Sequence, residues 1–167
     1  MSIQLEIEQW DGKSAKDIGE IYNRHCHDEL FISTVIECIG NSSLQKGATW
    51  LLKRHLENKN KLGKVEISEI YKKLEGLEQW ESKLQILQCL PFLIIPKSHK
   101  KRLELFIRAC LMDNNKFVRA SAYNGFYELA VQYPEYVEET KKFFEMAMRD
   151  EAPSVKSRIR NIMKKGF

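Results

Sequence analysis

The sequence predicts an all-α protein built from pairs of helices that stack into a solenoid. Apolar residues recur at helical spacing along most of the chain, and only 4 prolines and 8 glycines are available for turn-rich β structure. One helical pattern also returns about every 37 residues, as in α-helical repeat proteins. The segment DNNKFVRASAYNGFYELA, which begins at Asp113, is followed by the similar segment DEAPSVKSRIRNIM, which begins at Asp150.

The second helix of each predicted pair is aligned on an apolar or aromatic anchor residue. The four anchors are Leu44, Trp80, Val118 and Val155. The residues four and seven positions after each anchor are also mostly apolar, and positions i, i+4 and i+7 lie on one face of a helix. The pattern therefore predicts four amphipathic second helices in the same register.

Another stretch of helical apolar spacing precedes each anchor and predicts the first helix of the pair. These stretches begin near Leu30, Val65, Leu103 and Tyr136. Residues 11–26 predict one further, leading helix, for which Ser14 is a suitable N-cap. Asn114 or Asn115 can cap the third anchor helix, and Pro153 fits the first turn of the fourth.

The first ten residues depart from this helical pattern. Ile3, Leu5 and Ile7 alternate with polar residues, which suits a strand, but the rest of the chain offers no strand to pair with it. We therefore expect residues 1–10 to form an extended arm. Residues 1–167 are expected to form a single repeat domain, since a chain of this length fits one hydrophobic core.

Composition predicts a soluble, cytoplasmic protein that does not associate with membranes. The N-terminal residues lack the basic flank and apolar run of a signal peptide, and polar residues and a proline interrupt the longest apolar stretch, residues 84–95. The four cysteines are widely spaced, and three of them lie in apolar helical patterns, which favours buried thiols over a disulfide framework.

No group of residues has the spacing of a catalytic or cofactor site. The chain has no glycine-rich phosphate loop, and no thiol or hydroxyl lies in sequence beside a base and an orienting carboxylate. His25, Cys26 and His27 form the only cluster of metal-capable side chains, but adjacent residues on a helix point about 100° apart. We expect no catalytic residue, no cofactor and no metal.

The expected contacts with a partner lie on the second helices. In a solenoid these helices line the concave surface, and Trp, Tyr and Arg are enriched at binding hot spots. The predicted partner-binding residues are Trp50, Lys53, Gln85, Tyr123, Tyr127, Arg160 and Lys164. For Trp50 and the two tyrosines, the alternative is partial burial against a neighbouring helix.

Basic residues are concentrated in the C-terminal half. Residues 81–167 contain 16 Lys and Arg against 10 Asp and Glu, a net charge of +6, whereas residues 1–80 have a net charge of −2. A second basic cluster lies at residues 97–102, and the last helix carries Lys156, Arg158, Arg160, Lys164 and Lys165. This helix is interpreted either as the polar cap that keeps the end of a solenoid soluble or as a phosphate-binding surface.

At the last two anchors the residues resemble the motif of the HEAT-repeat family. The third unit carries Asp113, Val118, Arg119, Ala122 and Leu129, and the fourth repeats the pattern with Pro153, Val155, Lys156 and Ile159. The first two units have Gln45 and Glu81 where the basic residue of the motif is expected.

The HEAT resemblance implies a right-handed α-α superhelix of about four HEAT-like helix pairs plus the leading helix. It also implies structural roles for Arg119 and Asp113, since the Arg of the motif pairs with the Asp of its own repeat or of a neighbouring one. Such a charge-assisted pair fixes the register and orientation of adjacent helices.

The sequence therefore predicts a non-enzymatic protein-binding module, an adaptor or an inhibitor that uses its concave second-helix surface. The alternative is a nucleic-acid-binding protein that uses the basic C-terminal half. The DNA alkylation repair glycosylases are also built of HEAT-like repeats, and the chain bears a weaker likeness to them. In that interpretation Trp50 and Trp80, with Arg119 and Arg160, imitate parts of their DNA-binding surface.

Overall fold

Ten α-helices and four short 3-10 helices form the regular structure of the chain, and there is no strand. The computed structural model describes all residues, 1–167. The prediction of an all-α fold is confirmed. The helices are α1 (Ile3–Gln9), α2 (Ala15–His25), α3 (Phe31–Ile39), α4 (Gln45–Glu57), α5 (Lys64–Lys72), α6 (Trp80–Cys89), α7 (Lys100–Leu111), α8 (Lys116–Gln132), α9 (Val137–Asp150) and α10 (Pro153–Met163).

The chain divides into two compact units, Met1–Leu93 and Ile94–Phe167. In the first unit, α1, α3 and α5 contact one another in succession, α2, α4 and α6 do the same, and α4 packs along α3. This arrangement makes two layers of helices. In the second unit, α8 packs against α7, α9 and α10.

The N-terminal residues form helix α1, so the prediction of an extended arm is wrong. The Ser2 hydroxyl oxygen caps the helix by accepting a hydrogen bond from the Leu5 amide at 3.3 Å. Ile3 and Ile7 are buried, while Leu5 is exposed. A spacing of four residues fits both a strand face and a helix face. The tertiary contacts of α1 with α2 and α3 favour the helix over the strand.

Three of the four second helices have the predicted core face. The residues at the anchor and at four and seven positions after it are buried in α4 (Leu44, Ala48, Leu51), α8 (Val118, Ala122, Gly125) and α10 (Val155, Ile159, Ile162). In each case the three residues lie on one helix face, which packs into the core.

In α6 the predicted face is only partly confirmed. The predicted core residue Leu87 is buried, but the predicted anchor, Trp80, is 41% exposed, and Ser82, Ile86 and Cys89 are also buried at this spacing. Trp80 is the first residue of α6 and lies ahead of the face that packs on α4. With Ser82 as the anchor, the basic position of the motif falls on Lys83 and not on Glu81.

Other local predictions are confirmed by the helix ends. Ser14 caps α2, since its hydroxyl oxygen accepts a hydrogen bond from the Asp17 amide at 3.1 Å. Asn115 caps α8, since its Oδ1 accepts hydrogen bonds from the amides of Phe117 and Val118. Pro153 is the first residue of α10, where its missing N–H costs no helical hydrogen bond.

All four cysteines are free, and Cys38, Cys89 and Cys110 are buried. Burial raises the pKa of the Cys38 and Cys89 thiols, so both stay protonated at neutral pH. None of the ten helices combines the length and the apolar character that a membrane crossing requires.

Candidate binding surface

Trp50 and Lys53 lie on the exposed side of α4 in the first unit. The Trp50 ring is half-buried against α2, where an added Cβ at Gly19 would lie 3.8 Å from it. The Arg54 guanidinium stacks 5.0 Å from the ring centroid, a cation–π contact. Lys53 forms an ion pair with Glu57 at 3.5 Å. Burial against a neighbouring helix therefore accounts for part of the Trp50 surface and leaves the rest covered only by Arg54.

Gln85 joins the second helices of the first unit to each other. Its Oε1 accepts a hydrogen bond from the Thr49 hydroxyl of α4. Beside it, Lys46 of α4 forms an ion pair with Glu81 of α6 at 3.3 Å. The main role of Gln85 in the structure is thus to hold α6 against α4.

Tyr123 does not lie on the surface, and its prediction as a partner contact is not supported. It is only 8% exposed and packs edge to face on Phe144, with ring centroids 6.3 Å apart. Its hydroxyl donates a hydrogen bond to Glu151 at 3.4 Å. Burial, with the neighbouring Glu151 carboxylate, raises the pKa of Tyr123 to about 12. The side chain belongs to the core of the second unit.

The remaining predicted contacts of the second unit are accessible. Tyr127 is partly exposed, and its ring lies 5.1 Å from that of Phe167. Arg160 and Lys164 are exposed on α10, one helical turn apart, and neither has a carboxylate within ion-pair distance. These three residues are therefore open to a partner.

The two basic clusters of the sequence differ in how far carboxylates neutralise them. In the cluster at residues 97–102, Lys100 pairs with Glu135 at 2.7 Å and Lys101 pairs with Glu104 at 3.3 Å. The cations of α10 have no such partners. The unit formed by residues 94–167 contains 15 Lys and Arg against 9 Asp and Glu, a net charge of +6, and most of its free positive charge lies on α10 and the end of α9.

Arg119 fastens the α7–α8 pair to the connection between α9 and α10. Its Nε and Nη2 donate hydrogen bonds to the two carboxylate oxygens of Glu151 at 2.8 and 3.1 Å. Its Nη1 donates to the main-chain carbonyls of Asp113 and Asn114 at 3.0 and 3.1 Å. Such a bidentate pair fixes both distance and orientation.

The resemblance implied that Arg119 pairs with an Asp of its own or of a neighbouring repeat, and the structure shows a Glu in that role. The carboxylate that Arg119 binds in bidentate fashion belongs to Glu151, while Asp113 offers Arg119 its main-chain carbonyl. The Oδ1 atom of Asp113 accepts a hydrogen bond from the Asn115 amide at 2.8 Å, at the start of α8. Both residues have structural contacts, but through different atoms than expected.

Gln45 occupies the position of the basic residue of the motif, and the sequence alone assigned it no role. It is buried, and its Nε2 donates hydrogen bonds to the carbonyls of Ile39 and Gly76 at 3.0 and 2.9 Å. Its Oε1 accepts a hydrogen bond from the Glu78 amide at 2.9 Å. The single Gln side chain therefore satisfies three main-chain groups, two of them in the connection between α5 and α6.

Gln45 and Arg119 make equivalent contacts in the two units. Each directly follows its anchor, and each donates to a carbonyl six residues earlier in the chain. Gln45 also reaches Glu78, 33 residues later, and Arg119 reaches Glu151, 32 residues later. The signal that could have identified Gln45 was its position after Leu44, and not its residue type.

One member of the metal-capable cluster of the sequence, His25, lies close to carboxylates. His25 lies between two carboxylates, with its Nε2 2.8 Å from Glu6 and its Nδ1 3.4 Å from Asp28. Arg24 also binds Glu6, and its hydrogen bond holds the pKa of Glu6 below the ordinary value. The structure contains no group of three His, Cys, Asp or Glu side chains placed to hold a metal ion.

Acid is expected to weaken the second unit through Glu151. The hydrogen bond from Arg119 lowers the pKa of Glu151 from its ordinary value of 4.5. A carboxyl group whose pKa is lower in the folded state contributes stability that is complete above the unfolded pKa and is lost as the pH falls through the folded pKa. We expect the free energy of unfolding, measured in urea, to fall between about pH 5 and pH 3.

The Glu151→Gln variant isolates this effect, because it removes the titrating group. Its free energy of unfolding should fall less steeply over the same pH range than that of the wild type. Glu145→Gln, at an exposed position on α9, is the matched control and should keep the wild-type slope. Equal slopes for Glu151→Gln and the wild type would contradict the assignment.

Comparison with known proteins identifies no relative: no family model, no curated protein and no solved structure matches the chain. The resemblance to HEAT repeats therefore stays a prediction from the residues themselves.

Proposed function

We propose that this chain is a non-catalytic, HEAT-like helical-repeat module that binds another protein, as an adaptor or an inhibitor. One observation carries the proposal. At the end of α10, Arg160 and Lys164, which no carboxylate neutralises, adjoin Met163 and Phe167, which are 43% and 36% exposed. Exposed apolar groups beside unpaired cations suit a protein interface, which combines an apolar centre with a charged rim.

The equivalent contacts of Gln45 and Arg119 support the repeat part of the proposal. Both residues connect one helix pair to the loop of the next, at nearly the same sequence separation. Repeats joined in this way give their exposed side chains a stiff support, which lowers the entropy lost when a partner binds. The right-handed superhelix implied by the resemblance belongs to the same proposal.

Capture from a lysate of the source organism tests the function. The tagged full-length chain and its Arg160→Glu/Lys164→Glu variant are each cross-linked and purified, with and without nuclease. We expect a stoichiometric protein partner that survives nuclease and whose recovery falls about tenfold in the variant, equivalent to about 1.4 kcal/mol, because like charges repel at an interface.

The control is Lys142→Glu, which reverses a single exposed charge on α9 outside this face. It should capture the same amount of partner as the wild type. Recovery of nucleic acid, with every protein lost on digestion, would count against protein binding.

A second candidate function, nucleic-acid binding, is favoured by the free cations of α10. Arg158, Arg160 and Lys164 are exposed without ion pairs in a unit of net charge +6. Phosphate binding releases counterions, so log K would fall linearly with log salt concentration. Fluorescence anisotropy with single-stranded and duplex DNA at low and moderate salt concentration measures this salt dependence of the binding constant. A steep salt dependence that charge reversal on α10 abolishes would support this candidate, and its absence would exclude it.

A further inference from the structure

Two helix stripes with similar residues occur in the second unit, and they differ in charge at the second position, which is Glu145 on α9 and Arg160 on α10. The stripe on α9 consists of Lys141, Glu145, Met148 and Arg149, and the stripe on α10 consists of Lys156, Arg160, Met163 and Lys164. In each helix these residues stand at positions i, i+4, i+7 and i+8 and so share one face. Each stripe therefore places a methionine between basic residues.

The α9 stripe lines a groove of about 530 Å³, to which the α10 stripe contributes Met163. Its apolar lining consists of Phe144, Met148, Met163 and Phe167, and Lys141 and Arg149 also border it. This volume is within the range of roughly 300–1,000 Å³ that is typical of ligand pockets. Methionine side chains are flexible and polarisable, so a surface containing two of them can adapt to apolar groups of different shapes.

The charge around the groove is positive. Arg149, Arg160 and Lys164 have no carboxylate within ion-pair distance. Lys141 pairs only with the exposed Glu138, at 3.5 Å, which is a weak surface interaction. Glu145 is the only acidic residue in the lining. A bound segment that carries carboxylates beside an apolar stripe would thus complement both the apolar lining of the groove and its positively charged border.

We propose that this groove binds an acidic amphipathic helix of a partner protein. The proposal rests on the protein-binding function above and names the site and the chemistry of the partner. A helix with apolar residues at i, i+3 or i+4, and i+7 lays them into the groove, in the helix-in-groove mode of recognition. Its flanking Asp and Glu side chains then approach Arg149, Arg160 and Lys164. A nucleic-acid backbone would gain little from the methionines, which favours the protein segment.

Selection from a displayed library of random peptides, about 16 residues or four helical turns long, tests the groove with the full-length chain as bait. We expect the enriched peptides to share Asp or Glu with Leu, Ile, Phe or Met at helical spacing. The most enriched peptide, synthesised with a fluorescent label, should lose about tenfold in affinity, measured by anisotropy, toward Arg160→Glu/Met163→Ser.

The matched control is Arg158→Glu/Met146→Ser. It changes the same residue types, at exposed positions of α10 and α9 outside the two stripes, and should bind the peptide within about twofold of the wild type. Circular dichroism checks that both double variants fold, which is expected because all four positions are exposed.

Several results would overturn the groove assignment. They are a selection that enriches no peptides or only basic ones, equal affinity of the peptide for the groove variant, and displacement of the peptide by DNA or by phosphatidylserine vesicles. If lysate capture yields a nuclease-resistant partner that the groove variant retains fully, the groove assignment fails and the protein-binding function stands. If capture yields no protein, the function itself fails.

Discussion

Replacement of Arg119 by Met is expected to lower the free energy of unfolding by about 3 kcal/mol. Removing one member of a buried ion pair typically costs about 3–5 kcal/mol, because the other charge stays buried without its partner. The lower end applies here, since the side chains of Arg119 and Glu151 are 23% and 12% exposed and water can replace part of the lost interaction. Met retains an apolar side chain similar to the aliphatic part of Arg, so the loss of stability measures the contribution of the guanidinium group.

Urea unfolding at neutral pH, followed by circular dichroism, measures this effect. The double-mutant cycle with Glu151→Gln should give a coupling energy of about 2 kcal/mol, since both single variants break the same bidentate contact. Arg158→Met removes an exposed, unpaired Arg and should change stability by less than about 0.5 kcal/mol. Additive effects of Arg119→Met and Glu151→Gln would show that the two side chains do not stabilise each other.

Replacement of Gln45 by Leu is expected to cost the first unit a similar amount, about 3 kcal/mol. Leu has a similar size, so little cavity forms. The carbonyls of Ile39 and Gly76 and the amide of Glu78, however, each lose the side-chain partner that they have in the wild type. An unsatisfied buried polar group costs about 1–3 kcal/mol, and solvent near the exposed Gly76 offsets part of the total.

Urea unfolding gives the total loss for Gln45→Leu, and amide hydrogen exchange locates it. Faster exchange is expected at Glu78, whose amide donates to Gln45 in the wild type. Gln9→Leu, at an exposed position on α1, is the control for adding an apolar side chain and should change stability by less than about 0.5 kcal/mol. Unchanged exchange at Glu78 would argue against the role assigned to Gln45.

Periodicity in the sequence predicted most of the helices, because an amphipathic helix marks its buried face every three to four residues. The periodicity gave a wrong prediction at two places, in α6 and in α1. In α6, the large aromatic Trp80 was taken as the core residue, whereas the buried side chain is that of Ser82, a small polar residue that rarely marks a core. In α1, the four-residue spacing of Ile3 and Ile7 is common to helix and strand, and only tertiary contacts decide between them.

The polar contacts were harder to predict than the helices. A motif shows that Arg119 needs an anionic or carbonyl partner, but sequence distance does not say which carboxylate the fold brings to it. Glu151, 32 residues away, becomes the partner only through the packing of α8 on α9 and α10. Gln45 carries no charge and departs from the basic residue that the motif expects at its position, so its role follows only from three hydrogen bonds that the fold completes. The groove between α9 and α10 also forms only when the helices pack, so it could not be predicted from the sequence.

The contacts of Gln45 and Arg119 also determine which piece of this chain can be exchanged as a module. Each side chain sits at the start of a second helix and is bound to the connection inside the following pair, about one repeat length later. A graft cut at the boundary between two pairs would therefore separate each side chain from its partner in the following pair. A graft that begins a few residues before one second helix, at Ile39 or Asp113, and ends before the next second helix would carry the bonds intact. The segment that could be exchanged with its contacts is thus offset by about one helix from the predicted helix pair.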